Sequence, residues 1–483
     1  SNGRSCNSCH RQAQGWTVSP DELRQRIART NGTDPVFALV DGAVSPVADV
    51  SNVYARRSAY AMLLSRGLIR VGMPMPANAE FRLTKVDDPY GYASARELSL
   101  FRRPLPATNL IWLTAVMWDG RETFSPFKPP MDAGIDLENL RVSLASQARH
   151  AILGHEQAAA APSDAVIAQI VDFEMHMVTA QVDDNGAGQL NSDNAMGGAN
   201  ILAQQRFWVG INDTLGNDPT GDAFDEKAMR LFDDWNDPTA QFRRDPRGLA
   251  RAAIARGEQL FNSMPIAIRG VAGLNDVTGM PVIHGSCSSC HNSPNIGNHS
   301  MALPVNIGVA DASRRTPDMP LYTLTNQTTG KSVQTTDPGL AMITGKWADI
   351  GKFKGPILRG LAARAPYFHT GSAATLGDVV EFVSTAPLCL RVLGREVEEL
   401  SLASEKMPRR VLEAALADAA QASGVSVRDY FVAPPADTRA VPAYHWYLEL
   451  SEPADLAGLG RALDEALRSR HNCYRAIRAE NAV

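Results

Sequence analysis

Two short stretches decide the fold: Cys6-Asn7-Ser8-Cys9-His10 and Cys287-Ser288-Ser289-Cys290-His291. Both read C-x-x-C-H, the attachment sequence for c-type haem. The two-residue spacer matches the distance between the haem vinyl groups, so each thiol can add across one of them. The adjacent histidine then lies under the iron as proximal ligand, which makes His10 and His291 the expected iron ligands. Two other readings of these residues are weaker. A zinc knuckle needs a further C-x-x-C or H-x-x-x-H partner for each pair, and the sequence offers none. A thioredoxin-like C-x-x-C belongs in a βαβ pattern, and neither copy sits in one.

The rest of the composition sets bounds. The motifs take four of the six cysteines in 483 residues, too sparse a set for a disulfide scaffold. Hydrophobic residues make up 44% and charged residues 20%, which argues against disorder or fibre. At ~150 residues per domain, the length implies about three domains. The net charge of -5 carries no basic excess, which excludes nucleic acid as a partner. No apolar run approaches the ~18 residues of a membrane span. Covalent haem attachment takes place outside the cytoplasm, so the expected location is the periplasm. The chain begins five residues before Cys6 and is read as a mature or trimmed form.

The pattern between the motifs is mostly helical. Ser51 to Arg66 reads as a helix ending at Gly67, and Ser163 to Gln181 as a longer one. Asp245-Pro246 opens another, running to about Phe261. Thr375 and Asp378 form a capping box for a short helix through Phe382. Residues 183–200, 212–222 and 292–340 are rich in Gly, Pro, Asn and Asp and read as loops. The long gap between His10 and His291 implies one haem per domain, with a boundary near 240 around Asp237-Pro238.

Several stretches resemble the bacterial di-haem cytochrome c peroxidase and MauG superfamily. They are Arg256 to Phe261, Gly285 to Gly297, Phe353-Lys354-Gly355-Pro356-Ile357-Leu358-Arg359-Gly360, Ala365 to Ser372, and Met117-Trp118-Asp119-Gly120-Arg121. The resemblance is read over residues 1–383. It implies a mainly α fold in which two cytochrome-c-like haem domains face each other. The N-terminal peroxidatic domain would span 1–240 and the electron-transfer domain 241–383. Trp118 matches the tryptophan that relays electrons between the haems. Gln147 and Glu156 match the glutamine and glutamate on the open face of the N-terminal haem, after an insertion of about twenty residues following Arg121. Moving a proton between the two oxygens of a peroxide calls for such a carboxylate, with His150 and His155 as rivals. No histidine lies between His10 and His150, so the first iron is expected to stay open, Met73 and Met75 being the other side chains that could reach it.

The family's second distal ligand would fall at Val383, which cannot bind iron. His369, His299 and Met342 are the alternatives, His369 leading, with a hydrogen-bonding role open for it as well. The resemblance also implies a calcium ion between the domains, with Pro366 at a backbone-carbonyl contact and Asn109 nearby. Residues 384–483 read as a small C-terminal α/β segment of unknown role, with a strand at Tyr444 to Leu450 and a helix from Pro453 to Arg468. It weakly resembles the C-terminal portion of acyl-acid amido synthetases without their adenylating core. Cys389 and Cys473 fall here and read as buried thiols. The implied activity is reduction of hydrogen peroxide to water, with cytochrome c or a cupredoxin as electron donor and a homodimer among the implied states. A MauG-like oxidant of a protein, a di-haem oxygenase and a non-enzymatic di-haem electron carrier are the competing readings.

Overall fold

The first helix is set by its ends. Ser19 accepts a hydrogen bond from the backbone of Glu22, Pro20 occupies the first turn, and α1 (Pro20–Thr30) buries Leu23 and Ile27. In this computed structural model the described residues are 1–123, 137–237, 245–385, 388–392, 399–400, 407–433, 445–451 and 454–470. The chain divides into two compact units, Ser1–Arg395 and Glu396–Val483. The boundary expected near 240 falls inside the first unit, where Pro238 itself lies outside the described residues. So do Cys473 and most of the insertion after Arg121.

The single helix expected over Ser51–Arg66 is two: α2 (Val53–Ala59) and α3 (Ala61–Arg66), broken where Tyr60 turns to φ -102°, ψ 19°. Asn52, not Ser51, caps α2, accepting from the backbone of Tyr54 and Ala55 at 3.0 Å each. Three strands follow: β1 (Ile69–Met73), β2 (Phe81–Asp87) and β3 (Leu98–Arg102). β1 and β3 pair antiparallel with Ile69 opposite Arg102. Next come α4 (Leu137–Gly154) and α5 (Asp164–His176). Ser163 caps α5 as expected, but the helix stops at His176 rather than Gln181. Leu140, Leu144 and Ile152 of α4 meet Ile167, Val171 and Met175 of α5 in one core with Trp112 and Ile357.

Asp245 caps α6 (Pro246–Ser263), accepting from the backbone of Arg247 and Gly248 at 3.1 Å each. Replacing Asp245 with alanine is expected to cost about 1 kcal/mol in denaturant unfolding, since only this cap is lost. Two polar residues on the buried face of α6 do structural work. The Glu258 carboxylate accepts from the backbone of Leu231 and Phe232, and Asn262 bonds both backbone groups of Met229. They clamp the segment that leads into α6.

The expected loop 292–340 contains β4 (Leu321–Asn326) and β5 (Ser332–Thr335). The signal was the alternation of Tyr322, Leu324 and Asn326, all buried, inside a stretch otherwise rich in turn residues. β2, β4 and β5 form a three-stranded antiparallel sheet, so residues from both sides of 240 share one ladder. Tyr322 donates its hydroxyl to Ser99 O at 2.8 Å, tying this sheet to β3. The Thr375–Asp378 hydrogen bonds form, but the chain continues as β6 (Val380–Thr385), paired with β7 (Leu388–Val392), in place of the expected helix. The run Val379-Val380-Glu381-Phe382-Val383 favours a strand through its β-branched residues. Alongside the helices, the described residues hold seven small antiparallel sheets; the expectation had placed a strand in one of them, at Tyr444 to Leu450.

In the second unit, α7 (Arg409–Ala422) and α8 (Leu456–Arg470) pack through Leu412, Leu416, Leu459 and Leu463, beside the hairpin of β8 (Val427–Ala433) and β9 (His445–Leu450). α8 starts three residues later than expected and runs two further.

Candidate functional site

The two C-x-x-C-H stretches fold alike. Each begins with a short 3-10 turn, Cys6–Ser8 or Cys287–Ser289. In each, the serine before the first cysteine and the serine before the second exchange hydrogen bonds, Ser5 with Ser8 and Ser286 with Ser289. The histidine backbone then donates to the first cysteine carbonyl, at 2.9 Å for His10 and 3.0 Å for His291. Each imidazole Nδ1 faces the carbonyl six residues on: Trp16 O at 3.1 Å and Gly297 O at 2.6 Å. A carbonyl only accepts, so Nδ1 carries the proton and Nε2 keeps its lone pair. Burial pushes both imidazoles below the usual range, which favours this neutral form. The thiols of Cys6, Cys9 and Cys290 are each pushed up to about 11, mainly by burial.

A cavity of about 270 Å³ opens over the first motif and is bordered by Cys6, Cys9 and His10. One face of α4 lines it, through Leu144, Gln147, Ala148, Ala151 and Ile152, which recur at helical spacing. His155 and Glu156 follow at the helix exit and also line it. The N-terminal segment is stapled to that exit: Asn2 N donates to Glu156 O at 3.0 Å, and its side-chain amide to His155 O at 2.9 Å. Glu156 Oε1 accepts from Cys6 Sγ at 3.5 Å. His155 Nδ1 pairs with Asp41, whose other oxygen holds Arg4. Trp118 borders the cavity as well, and its Nε1 donates to Arg103 O at 2.8 Å. The structure thus gathers Trp118, Gln147 and Glu156 around His10, although they come from separate segments.

The remaining candidates are distributed differently. His150 is exposed and bonded to Glu122 at 2.8 Å. Met73, Met75 and Met342 pack with the cluster of Phe81, Leu98, Tyr322 and Leu324. His299 is fully enclosed, pushed down to about 4 by burial with His291 adding to the shift, and its Nδ1 accepts from Met301 N at 3.1 Å. His369 stacks on Phe353 at 4.1 Å and meets Trp118 edge-on at 6.2 Å. Its Nε2 is 3.8 Å from Asp337 Oδ2, and neither ring nitrogen has a hydrogen-bond partner among the described residues. Asn109 commits both ends of its amide to the backbone of Thr179, at 2.8 Å each. Among the described residues, no group of three or more His, Cys, Asp or Glu converges as a metal site. Val383 lies in β6 and Cys389 in β7.

Sequence reasoning passed over the charge arrangement. Asp119, in Trp118-Asp119-Gly120-Arg121, is fully buried and shares Arg102 with Asp337; Arg121 adds a contact at 3.1 Å. Three further buried cations border the cavity without a carboxylate partner among the described residues. Arg103 donates only to carbonyls, Arg364 keeps one nitrogen without a partner, and Lys354 is pushed down to about 8 by burial. Burial likewise lowers Arg103 and Arg364 to about 10. Glu174 was passed over too. It lines the same cavity one turn beyond Ile170, its Oε2 is buried without a partner, and burial pushes its carboxyl up to about 7. The available signal was one acid on the apolar Ile167, Ile170, Val171 face of α5.

Known proteins resemble parts of this chain. The cytochrome-c peroxidase IdrP2 of Denitromonas iodatirespirans is 35% identical over 102 residues, covering 20% of this chain and 28% of that protein. The cytochrome-c peroxidase IdrP1 of Pseudomonas sp. (strain SCT) is 30% identical over 118 residues, 22% of this chain and 29% of that one. The cytochrome c551 peroxidase of Nitrosomonas europaea is 33% identical over 110 residues, 22% and 26% respectively. The chain spans under a third of the length of the curated relatives it matches. No solved structure matches. Residues 410–483 match the GH3 family C-terminal domain. These findings correct two expectations. The peroxidase resemblance read over 1–383 contracts to about a fifth of the chain. The match at 410–483 stands in place of the amido-synthetase resemblance read over 384–483, which is withdrawn.

Proposed function

We propose that the chain is a di-haem c-type peroxidase that acts in the periplasm and reduces hydrogen peroxide to water at the first haem. The observation that carries this reading is the convergence of Cys6, Cys9, His10, Trp118, Gln147 and Glu156 on one cavity. The donor set fits the group: two neutral thiols at vinyl spacing, an imidazole with its Nε2 lone pair available, and buried Arg103, Lys354 and Arg364 where haem propionates would supply the missing anions. Cys287, Cys290 and His291 would hold the second haem in the same local geometry, in a second cytochrome-c-like half facing the first. Bound haem supplies the iron centre at which peroxide is reduced and a store for electrons.

The chain's own residues bind, orient and move protons. His10 is held by Trp16 O in a fixed ring orientation. Gln147 orients peroxide, and Glu156 takes a proton from one peroxide oxygen at its carboxylate. Trp118 meets His369 edge-on and His369 stacks on Phe353, a run of aromatic contacts suited to electron passage between the haems, fed by a small redox protein such as a cytochrome or cupredoxin. Similarity to cytochrome-c peroxidases over about a hundred residues supports the reading. Among the described residues, no helix is long and apolar enough to cross a membrane.

Glu156→Gln is expected to lower steady-state peroxide turnover by about 10²-fold while the pyridine haemochrome still counts two c-type haems. An unchanged rate removes Glu156 from the mechanism. Resting EPR tests the whole reading, since a non-enzymatic carrier would show no high-spin ferric signal.

A further inference from the structure

We propose that Glu174 is a second catalytic carboxyl, the one that donates a proton to the departing peroxide oxygen; this rests on the peroxidase reading above. Three geometric observations carry it. Glu174 lines the cavity that Cys6, His10, Gln147 and Glu156 also border. It sits on the inward face of α5, four residues after cavity-lining Ile170 and between buried Val171 and Met175. Its Oε2 is buried without a hydrogen-bond partner, so no structural bond accounts for a carboxyl there.

The surrounding charges leave it alone. From α4, Arg141 and Arg149 reach α5 only to pair with Asp172 and Asp164. The turn Leu110–Trp112, which also packs on α5, brings no titratable group. From the N-terminal segment, Cys6 is near enough for both Glu174 and Glu156 to raise its thiol. The same cavity is also lined by Arg4, Cys9, His10, Asp41, Arg102, Arg103, Arg121, His155, Lys354, Arg364 and Tyr367. Burial is the one influence on the carboxyl, and it favours the protonated form.

The two acids then divide the work. Glu156, beside Cys6 Sγ, accepts the proton of the inner peroxide oxygen. Glu174 breaks its O–H bond and forms one on the outer oxygen, which leaves as water. Bound haem would supply the two electrons that cleave the O–O bond, to be restored by the redox partner; the inner oxygen takes back the proton held by Glu156 and a second one from solvent and leaves as the other water. Glu174 regains its proton from solvent. Two carboxyls whose surroundings differ in this way are a recurring solution for running acid and base steps together.

The test is Glu174→Gln in the haem-loaded protein. Infrared difference spectra between about pH 6 and pH 8 should show a neutral carboxylic-acid band that fades with rising pH in the parent and is missing in the variant. Turnover at neutral pH should fall about 10²-fold, and its decline above about pH 7 should vanish. E174D, which restores the acid at a shorter reach, should recover part of the rate and shift the infrared band; it carries the test should E174Q fail to fold. Parent-like turnover in E174Q with full haem content, or an infrared band untouched by either variant, overturns the role of Glu174. A parent that binds two haems yet does not reduce peroxide overturns the peroxidase reading instead.

Discussion

Replacing Cys6 and Cys9 together with serine should halve the covalent haem, from two per chain to one by pyridine haemochrome, and abolish peroxide turnover. The loss is categorical because serine hydroxyls do not form the thioether bonds that fix the porphyrin beside His10. The fold should survive, since the turn holding the motif rests on Ser5, Ser8 and backbone bonds rather than on the thiols. The paired change of Cys287 and Cys290 should also leave one haem, but with the first cavity intact and the electron supply cut. Peroxide added in stoichiometric amount would then still perturb the remaining haem spectrum while steady-state turnover fails. If the Cys6/Cys9 variant retains two covalent haems, the assignment of the first motif is wrong.

Arg102→Met should destabilise the first unit by about 3–5 kcal/mol in denaturant unfolding, the largest effect expected of any single surface-sparing change. Arg102 is fully buried and its guanidinium is shared by Asp119 and Asp337, themselves buried. Removing it leaves both carboxylates in a dry environment with only Arg121 beside Asp119. Arg102 holds the Asp119 carboxyl below the usual carboxylate range. A depressed folded-state pKa adds stability above the unfolded pKa and loses it as pH falls. The deficit of the variant should therefore be full near pH 7 and shrink below about pH 4. A deficit independent of pH would show that packing, not charge, accounts for it. Trp118 adjoins Asp119, so indole fluorescence should change with the network as well.

Local signals carried the motif geometry and several helix ends. Ser163, Asp245 and the two C-x-x-C-H turns behave as their neighbours in sequence imply, because a cap or a short turn depends on atoms within a few residues. Longer readings failed where a competing local preference entered. Tyr60 interrupts the helix read through Arg66, and the β-branched run after Asp378 overrides its capping box. β4 was hidden by the turn residues around it, and only its pairing with β2 and β5 makes it a strand.

The candidate site divides along the same line. His10, Cys6 and Cys9 could be read directly, since covalent attachment needs a fixed spacing along one stretch of chain. Trp118, Gln147 and Glu156 could be named only through a resemblance, and the tertiary fold brings them to one cavity. Glu174 left only a faint trace, one acid on the otherwise apolar face of α5, and it is the folded cavity that buries its carboxyl. By itself the sequence determined the chemistry that is local, two C-x-x-C-H motifs that each set a histidine beside a pair of thiols. The tertiary structure decided which distant carboxyls and cations surround the first of them, because desolvation and charge balance belong to a cavity and not to any segment that lines it.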